Sequence, residues 1–163
     1  MLVGIVSDTH DNLDIVEQAA ERFEDAGVDA VIHCGDIVAP FSATPFDGEF
    51  DFYAVRGNND GEWSLQDTVA DFGTYLGEMG ELTLGGAGFA VYHGTSEPIV
   101  EALLACDSYD YVCRGHTHQR VHEERGGTVH VNPGGIPIAA APEDPAAVVL
   151  DTDTGDVTFH DLA

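Results

Sequence analysis

The sequence predicts an α/β fold in one domain over residues 1–163, and three observations point to it. Apolar runs of strand length recur from the first residues onward, the first two are separated by one amphipathic helical segment, and several of them end in loops rich in Asp, Asn, His and Gly. A strand, helix, strand order needs a crossover, so the sheet built by the first half is expected to be parallel. Glycine-rich turns join the apolar runs of the second half. They predict hairpins, and with the first half a mixed sheet or two packed sheets with helices outside.

Residues 2–6 (LVGIV) form a nearly continuous apolar run ahead of Ser7-Asp8-Thr9-His10-Asp11-Asn12, which reads as a buried strand entering a loop. Leu13, Val16, Ala20 and Phe23 then fall on one helical face, with Asp11 or Asn12 to cap the start and Gly27 just past the end. Residues 30–33 predict a second strand before Cys34-Gly35-Asp36, and residues 50–55 a third before Gly57-Asn58-Asn59-Asp60. Residues 81–84 and 89–92 read as a hairpin about Gly85-Gly86-Ala87-Gly88, which lacks the following helix and the lysine of a nucleotide-phosphate loop. A helix is expected over 98–105, strands over 111–113 and 129–131, and a closing hairpin from 147–150 to 157–159 about Thr152-Asp153-Thr154-Gly155. Trp63, Phe72 and Tyr75 read as core or rim aromatics.

Charge bounds the function classes. Thirty acidic residues stand against five basic ones, all arginine, for a formal charge of −25. Self-repulsion on this scale destabilises a compact chain in dilute buffer, but at molar salt the Debye length falls to roughly 3 Å. The surface is therefore read as adapted to concentrated salt, with a basic protein partner as the alternative. The same charge repels nucleic acid, so a long polyanionic substrate is disfavoured against a small ester. Cys34, Cys106 and Cys113 are too few and too irregularly spaced for a disulfide framework, which implies a reducing compartment. No leader pattern and no run near 18 apolar residues, roughly a membrane span, is present. The expected protein is cytoplasmic, without membrane contact, and able to form a homo-oligomer.

The informative pattern is where metal-binding side chains fall. Asp8 and His10 follow the first strand, Asp36 the second and Asn58 the third; His93 follows 89–92, and His116 and His118 follow 111–113. All lie at the carboxyl ends of strands, where loops of α/β sheets converge on one crevice. Residues i and i+2 on extended chain point the same way, so Asp8/His10 and His116/His118 each present two side chains to one point. A lone Asp-x-His is most often a helix cap beside a surface histidine; five such places in register are what point to metal. Carboxylate, amide and imidazole donors suit manganese, iron, nickel, cobalt or zinc. Seven ligands exceed one tetrahedral zinc and fit two ions roughly 3.5–4 Å apart if Asp36 bridges them.

The ordered set Asp8-Thr9-His10, Gly35-Asp36, Gly57-Asn58-Asn59-Asp60, His93-Gly94 and Gly115-His116-Thr117-His118 resembles the calcineurin-like metallophosphoesterase superfamily. The likeness is greatest to its small bacterial and archaeal phosphodiesterases, which share a segment like Asn132-Pro133-Gly134, and it spans nearly the whole chain. The resemblance implies one metallophosphoesterase domain over residues 1–163: a four-layer, two-sheet α/β sandwich of mixed sheets flanked by helices. It implies that Asp8, His10 and His118 hold one divalent ion, that Asn58, His93 and His116 hold the other, and that Asp36 bridges. Manganese is the expected metal, with nickel, iron, cobalt or zinc as alternatives. The implied reaction is hydrolysis of a small phosphodiester by metal-bound hydroxide, with Asp36, Asn58 and Asn59 at the centre.

Asn59 stands where larger members of the superfamily carry a histidine credited with protonating the leaving group. Its amide is expected to bind a phosphoryl oxygen without delivering a proton. Arg56 is expected either to reach a phosphate oxygen or to form an ion pair. His33, of opposite pleat parity to Asp36, reads as a core or supporting histidine, and His122, His130 and His160 as structural or exposed. The rival functions are a phosphomonoesterase acting on a small metabolite and a non-catalytic scaffold like the retromer subunit of this fold. The complete ligand set disfavours the scaffold.

Overall fold

Apolar runs this short and this continuous need cover on both faces, and packing two sheets between helices supplies it. The computed structural model describes residues 1–162. Its first half runs β1 (Leu2–Val6), α1 (Leu13–Ala26), β2 (Ala30–His33), β3 (Asp51–Val55), α2 (Trp63–Phe72) and β4 (Gly73–Gly77). The second runs β5 (Met79–Leu84), β6 (Ala87–Tyr92), α3 (Glu97–Ala105), β7 (Tyr111–Cys113), β8 (Arg120–Arg125), β9 (Thr128–Pro133), β10 (Ala146–Asp151) and β11 (Val157–Asp161). One sheet has the order β11-β10-β1-β2-β3-β4 and the other β5-β6-β7-β9-β8. β1 to β4 are mutually parallel, as are β6, β7 and β9, while β5, β8, β10 and β11 add antiparallel edges.

The strand alternation builds four layers. Val3, Ile5, Ala30, Ile32 and Val148 of the first sheet meet Phe89, Val91, Cys113 and Val131 of the second in the inter-sheet core. On the outer face of the first sheet, Val16, Ala19 and Phe23 of α1 and Leu65 and Val69 of α2 cover Val6, Val31 and Phe52. Val100 and Leu104 of α3 cover Ala90 and Val112 of the second. Gly4 permits the α1 contact, because a Cβ there would lie 2.6 Å from the Phe23 ring. Truncating the fully buried Phe23 to alanine would cost about 3–5 kcal/mol.

The structure amends several details. The third strand starts one residue later than expected, and Ala87 and Gly88 belong to β6, which leaves Gly85-Gly86 as the turn. α2, β4 and β8 were not anticipated, for physical reasons. α2 buries only Leu65 and Val69, too short a stripe to read as a period, and β8 (RVHEER) is a polar edge strand without alternation. Trp63, read as a core or rim aromatic, opens α2 with 86% of its surface exposed.

Candidate metal centre

Loops leaving the carboxyl ends of β1, β2, β6, β7 and β9 are tied into one site by backbone hydrogen bonds, and the loop after β3 joins them through the Asp36 and Asp60 carboxylates. Asp8 N–H donates to Gly35 O (3.0 Å), His10 N–H to Asp36 O (3.0 Å), Gly115 N–H to His93 O (3.0 Å) and Ile136 N–H to Asp8 O (3.1 Å). These bonds hold an unusual backbone. Asp8, His10, Asp36, His116 and His118 all have positive φ, between 45° and 69°, and Val38 has φ 88°. Left-handed conformations cost non-glycine residues on the order of 1–3 kcal/mol each and persist where the surroundings over-determine them. The two Asp/His and His/His pairs therefore converge through left-handed turns, not through the extended chain that their i, i+2 spacing suggests. Close approach also demands glycine: a Cβ at Gly57 would overlap Asp36 Oδ1, and one at Gly115 would overlap Ser7 Oγ and Asp8 Oδ2.

Two of the donor atoms are left bare by their neighbours. Asp8, fully buried, has Oδ2 occupied by Ser7 Oγ–H (2.6 Å) and His116 N–H (2.9 Å), while its buried Oδ1 has no hydrogen-bond partner among the described residues. His118 directs Nδ1 to Ile136 O (2.7 Å), which turns Nε2 toward Asp8 Oδ1 at 3.4 Å. His93 directs Nδ1 to Cys34 O (2.7 Å). His10 Nε2 is likewise buried and unpartnered. Imidazoles anchored by a carbonyl at Nδ1, with Nε2 turned toward the centre, are the arrangement that metal-binding histidines adopt. Asp36 Oδ2 lies 3.4 Å from both His10 Nε2 and His93 Nε2. Asp8, His10 and His118 form one group of converging ligand atoms, and Asp8, Asp36 and His93 another. Two buried orphan atoms beside two carboxylates fit a cation.

Asn58 Oδ1 sits between His93 Nε2 (3.0 Å) and His116 Nδ1 (2.9 Å), so these three side chains also converge. Burial favours a neutral His93, but hydrogen bonding to Asp36 and the charges of Asp8 and Asp36 push its pKa up. Asp36 is held below the usual carboxylate range: burial opposes this, and hydrogen bonds from His93 and Asn59 outweigh it. Burial and the nearby His93 push His116 down.

Of the other candidates, Asn59 donates both its N–H and its Nδ2 to the Asp36 carboxylate, each at 2.8 Å. Arg56 forms the ion pair, with Glu78 at 3.0 Å, and also donates to Asp60 O. His33 is buried between Thr9 Oγ1 (3.1 Å) and Gly35 N–H (3.2 Å), and burial followed by the charge of His93 lowers its pKa to about 3. His130 is buried against Glu123, and His122 is exposed. Asn132 is buried and donates to Gly115 O and Thr117 Oγ1, bracing the His116–His118 turn.

Sequence reasoning missed two supports. Asp60 accepts from Asp36 N–H (2.9 Å), Gly57 N–H (2.7 Å) and Val38 N–H (2.7 Å), fastening the second loop to the third and holding the strained Val38. Arg114, 3% exposed, bonds Gly94 O and Gly115 O and pairs with Glu97, which clamps the turns after His93 and before His116. An arginine ending an apolar strand was the available signal for the second.

Comparison with known proteins bears on this geometry. The calcineurin-like phosphoesterase superfamily domain matches residues 1–155. A phosphodiesterase of Methanocaldococcus jannaschii is 36% identical over 138 residues, 82% of this chain and 83% of that protein. The solved structure of a novel archaeal phosphodiesterase superposes with a TM-score of 0.92 at 32% identity, covering 99% of this chain and 100% of that one. The zinc complex of Vps29 from Entamoeba histolytica has a TM-score of 0.73 at 17% identity over 100% of both chains, a likeness of fold alone.

Proposed function

This chain belongs to the calcineurin-like phosphoesterase superfamily, and from that premise we propose that it hydrolyses a small phosphodiester at a pair of divalent ions, manganese foremost. Asp8, His10 and His118 would hold one ion, Asn58, His93 and His116 the other, and Asp36 would bridge. The observation that carries this reading is the position of Asp36 Oδ2, equally 3.4 Å from a histidine of each half. Such ions, when bound, lower the pKa of a shared water and neutralise phosphoryl oxygens.

The chain's own residues do the rest. Ser7 and the His116 N–H fix Asp8 so that one oxygen faces the centre, and the carbonyls of Cys34 and Ile136 engage Nδ1 of His93 and His118, which turns each Nε2 toward the centre. Asn59, exposed beside Asp36, would donate to a phosphoryl oxygen, and its amide has no proton to give a leaving group near neutral pH. Diesters are favoured over monoesters because a monoester brings a second negative charge. The arginines nearest the centre, Arg56 and Arg114, are ion-paired to Glu78 and Glu97, and the chain has no lysine.

No helix of the described residues is long and apolar enough to cross a membrane. We further take the chain as one domain, working in a salt-rich cytoplasm, on the support of its −25 charge and three free cysteines. The deciding experiment is turnover of the manganese-loaded protein in molar salt. Bis(4-nitrophenyl) phosphate should exceed 4-nitrophenyl phosphate in kcat/KM, alkyl diesters should fall steeply, and Asn59→His should help the alkyl diesters most. A faster monoester would transfer the reading to a phosphomonoesterase.

A further inference from the structure

On this acidic surface, five large apolar side chains are exposed among the described residues: Leu13, Phe41, Trp63, Ile99 and Ile138. Isolated exposed apolar residues are ordinary. Their placement here is not. Leu13 opens α1 just after His10, and Trp63 opens α2 just after the Gly57–Asp60 turn. Phe41 sits in the 3₁₀ turn Pro40–Ser42, bound to the loop of His10 where Ala39 N–H (2.9 Å) and Ser42 Oγ–H (2.6 Å) donate to Asp11 Oδ1. Ile99 lies in the first turn of α3, whose Glu97 holds Arg114 beside Gly115 and His116. Ile138 follows Ile136, whose backbone is bonded to both Asp8 and His118. Every one of the five stands on a segment that leaves a ligand loop, and none stands on the opposite edge of either sheet.

Trp63 is exposed by 86% and Phe41 by 53%, and the turn bearing Phe41 packs on α2. An open recess of about 540 Å³ runs along Gly61, Glu62, Trp63, Ser64 and Asp67. We infer that this apolar rim, with the Trp63 indole as its principal contact, binds an aromatic ring carried by the phosphoester, of phenyl or nucleobase type, while the phosphate occupies the centre. The inference rests on the phosphodiester reading above. A phosphodiester has one charged atom group and two organic arms, and the arms must fall on the rim. An exposed indole offers a flat face to a ring at little ordering cost. Glu62 and Asp67 put negative charge beside it, so a second phosphate is repelled and a neutral or amino-bearing ring is preferred. The same charge opposes a second copy of the chain as occupant.

Trp63 is the only tryptophan, so its emission reports the rim directly and without turnover. With the manganese-loaded protein in molar salt, methyl(phenyl)phosphinate, singly charged and two-armed like a diester, should quench that emission and bind about tenfold more tightly than dimethylphosphinate, about 1.4 kcal/mol. In Trp63→Ala, followed by calorimetry, the ratio should collapse to about twofold or less, about 0.4 kcal/mol. Equal affinities for the two phosphinates, or a preference that survives Trp63→Ala with Phe41→Ala, overturn the inference. If dimethylphosphinate binds with manganese and the phenyl group adds nothing, the phosphoester reading stands and the rim assignment falls; if neither binds with manganese, both fall. A dimer in sedimentation that Trp63→Ala dissociates, without ligand preference, would reassign the rim to self-association.

Discussion

The two halves of the centre are built on opposite principles. In the half formed by Asp8, His10 and His118, buried Asp8 Oδ1 and His10 Nε2 are left without hydrogen-bond partners. In the half formed by Asn58, His93 and His116, Asn58 Oδ1 already lies within 3.0 Å of a nitrogen of each histidine, and Asn58 itself is exposed. An unpaired buried polar group costs about 1–3 kcal/mol. A cation bound as proposed would relieve that cost in the first half, whereas in the second it would have to replace contacts the protein makes with itself. The first half should therefore fill first and hold its ion more tightly.

Asp36, whose Oδ2 lies 3.4 Å from a histidine of each half, is the proposed bridge, and removing it should have the largest effect. Asp36→Ala is expected to lower kcat/KM by about 10³-fold or more and to weaken both ions in calorimetric titration. Full two-ion occupancy in that variant would contradict the bridge. Asn58→Ala tests the asymmetry itself. Affinity for the weaker ion should fall about 10–100-fold while the tighter step is unchanged, and equal loss at both steps would show the halves to be one unit.

His33 sharpens the comparison from below, since it supports Thr9 between Asp8 and His10. Its pKa in the fold is about 3, below the 6.5 of an ordinary histidine, so the unfolded chain binds the proton more readily. The stability linked to His33 is thus fully present above pH 6.5 and is lost as pH falls toward 3. At roughly 1.4 kcal/mol per unit the loss reaches a few kcal/mol. Urea midpoints of the metal-free protein should fall across that window, and His33→Gln should flatten the fall. An unchanged slope would clear His33 of the role.

The smallest expected effect is the least local. Screening of a −25 chain should raise the thermal midpoint by several degrees from dilute to molar chloride, in the apo protein and equally in Asn58→Ala. A flat or falling midpoint would remove the reading of a salt-adapted surface, and a rise confined to the wild type would place the salt effect in the second half of the centre.

How much was legible follows from the physics of each segment. β1, β2 and α1 could be read because continuous apolar runs and a 3.6-residue stripe are local patterns, and Asn12 and Gly27 do cap α1 as their residue types suggest. The ordered blocks from Asp8 to His118 marked the family for the same reason, as each block is contiguous in sequence. By itself the sequence therefore determined the fold class, the family and which side chains gather at the strand ends. It did not determine that Asp8, His10, His116 and His118 would converge through left-handed turns, that Asp60 and Arg114 would fasten the loops, or that Trp63 would lie open at the rim. Those were decided by the tertiary structure. A strained dihedral, a buried carboxylate shared by three N–H groups and the exposure of one indole all depend on partners far along the chain, which local periodicity does not encode.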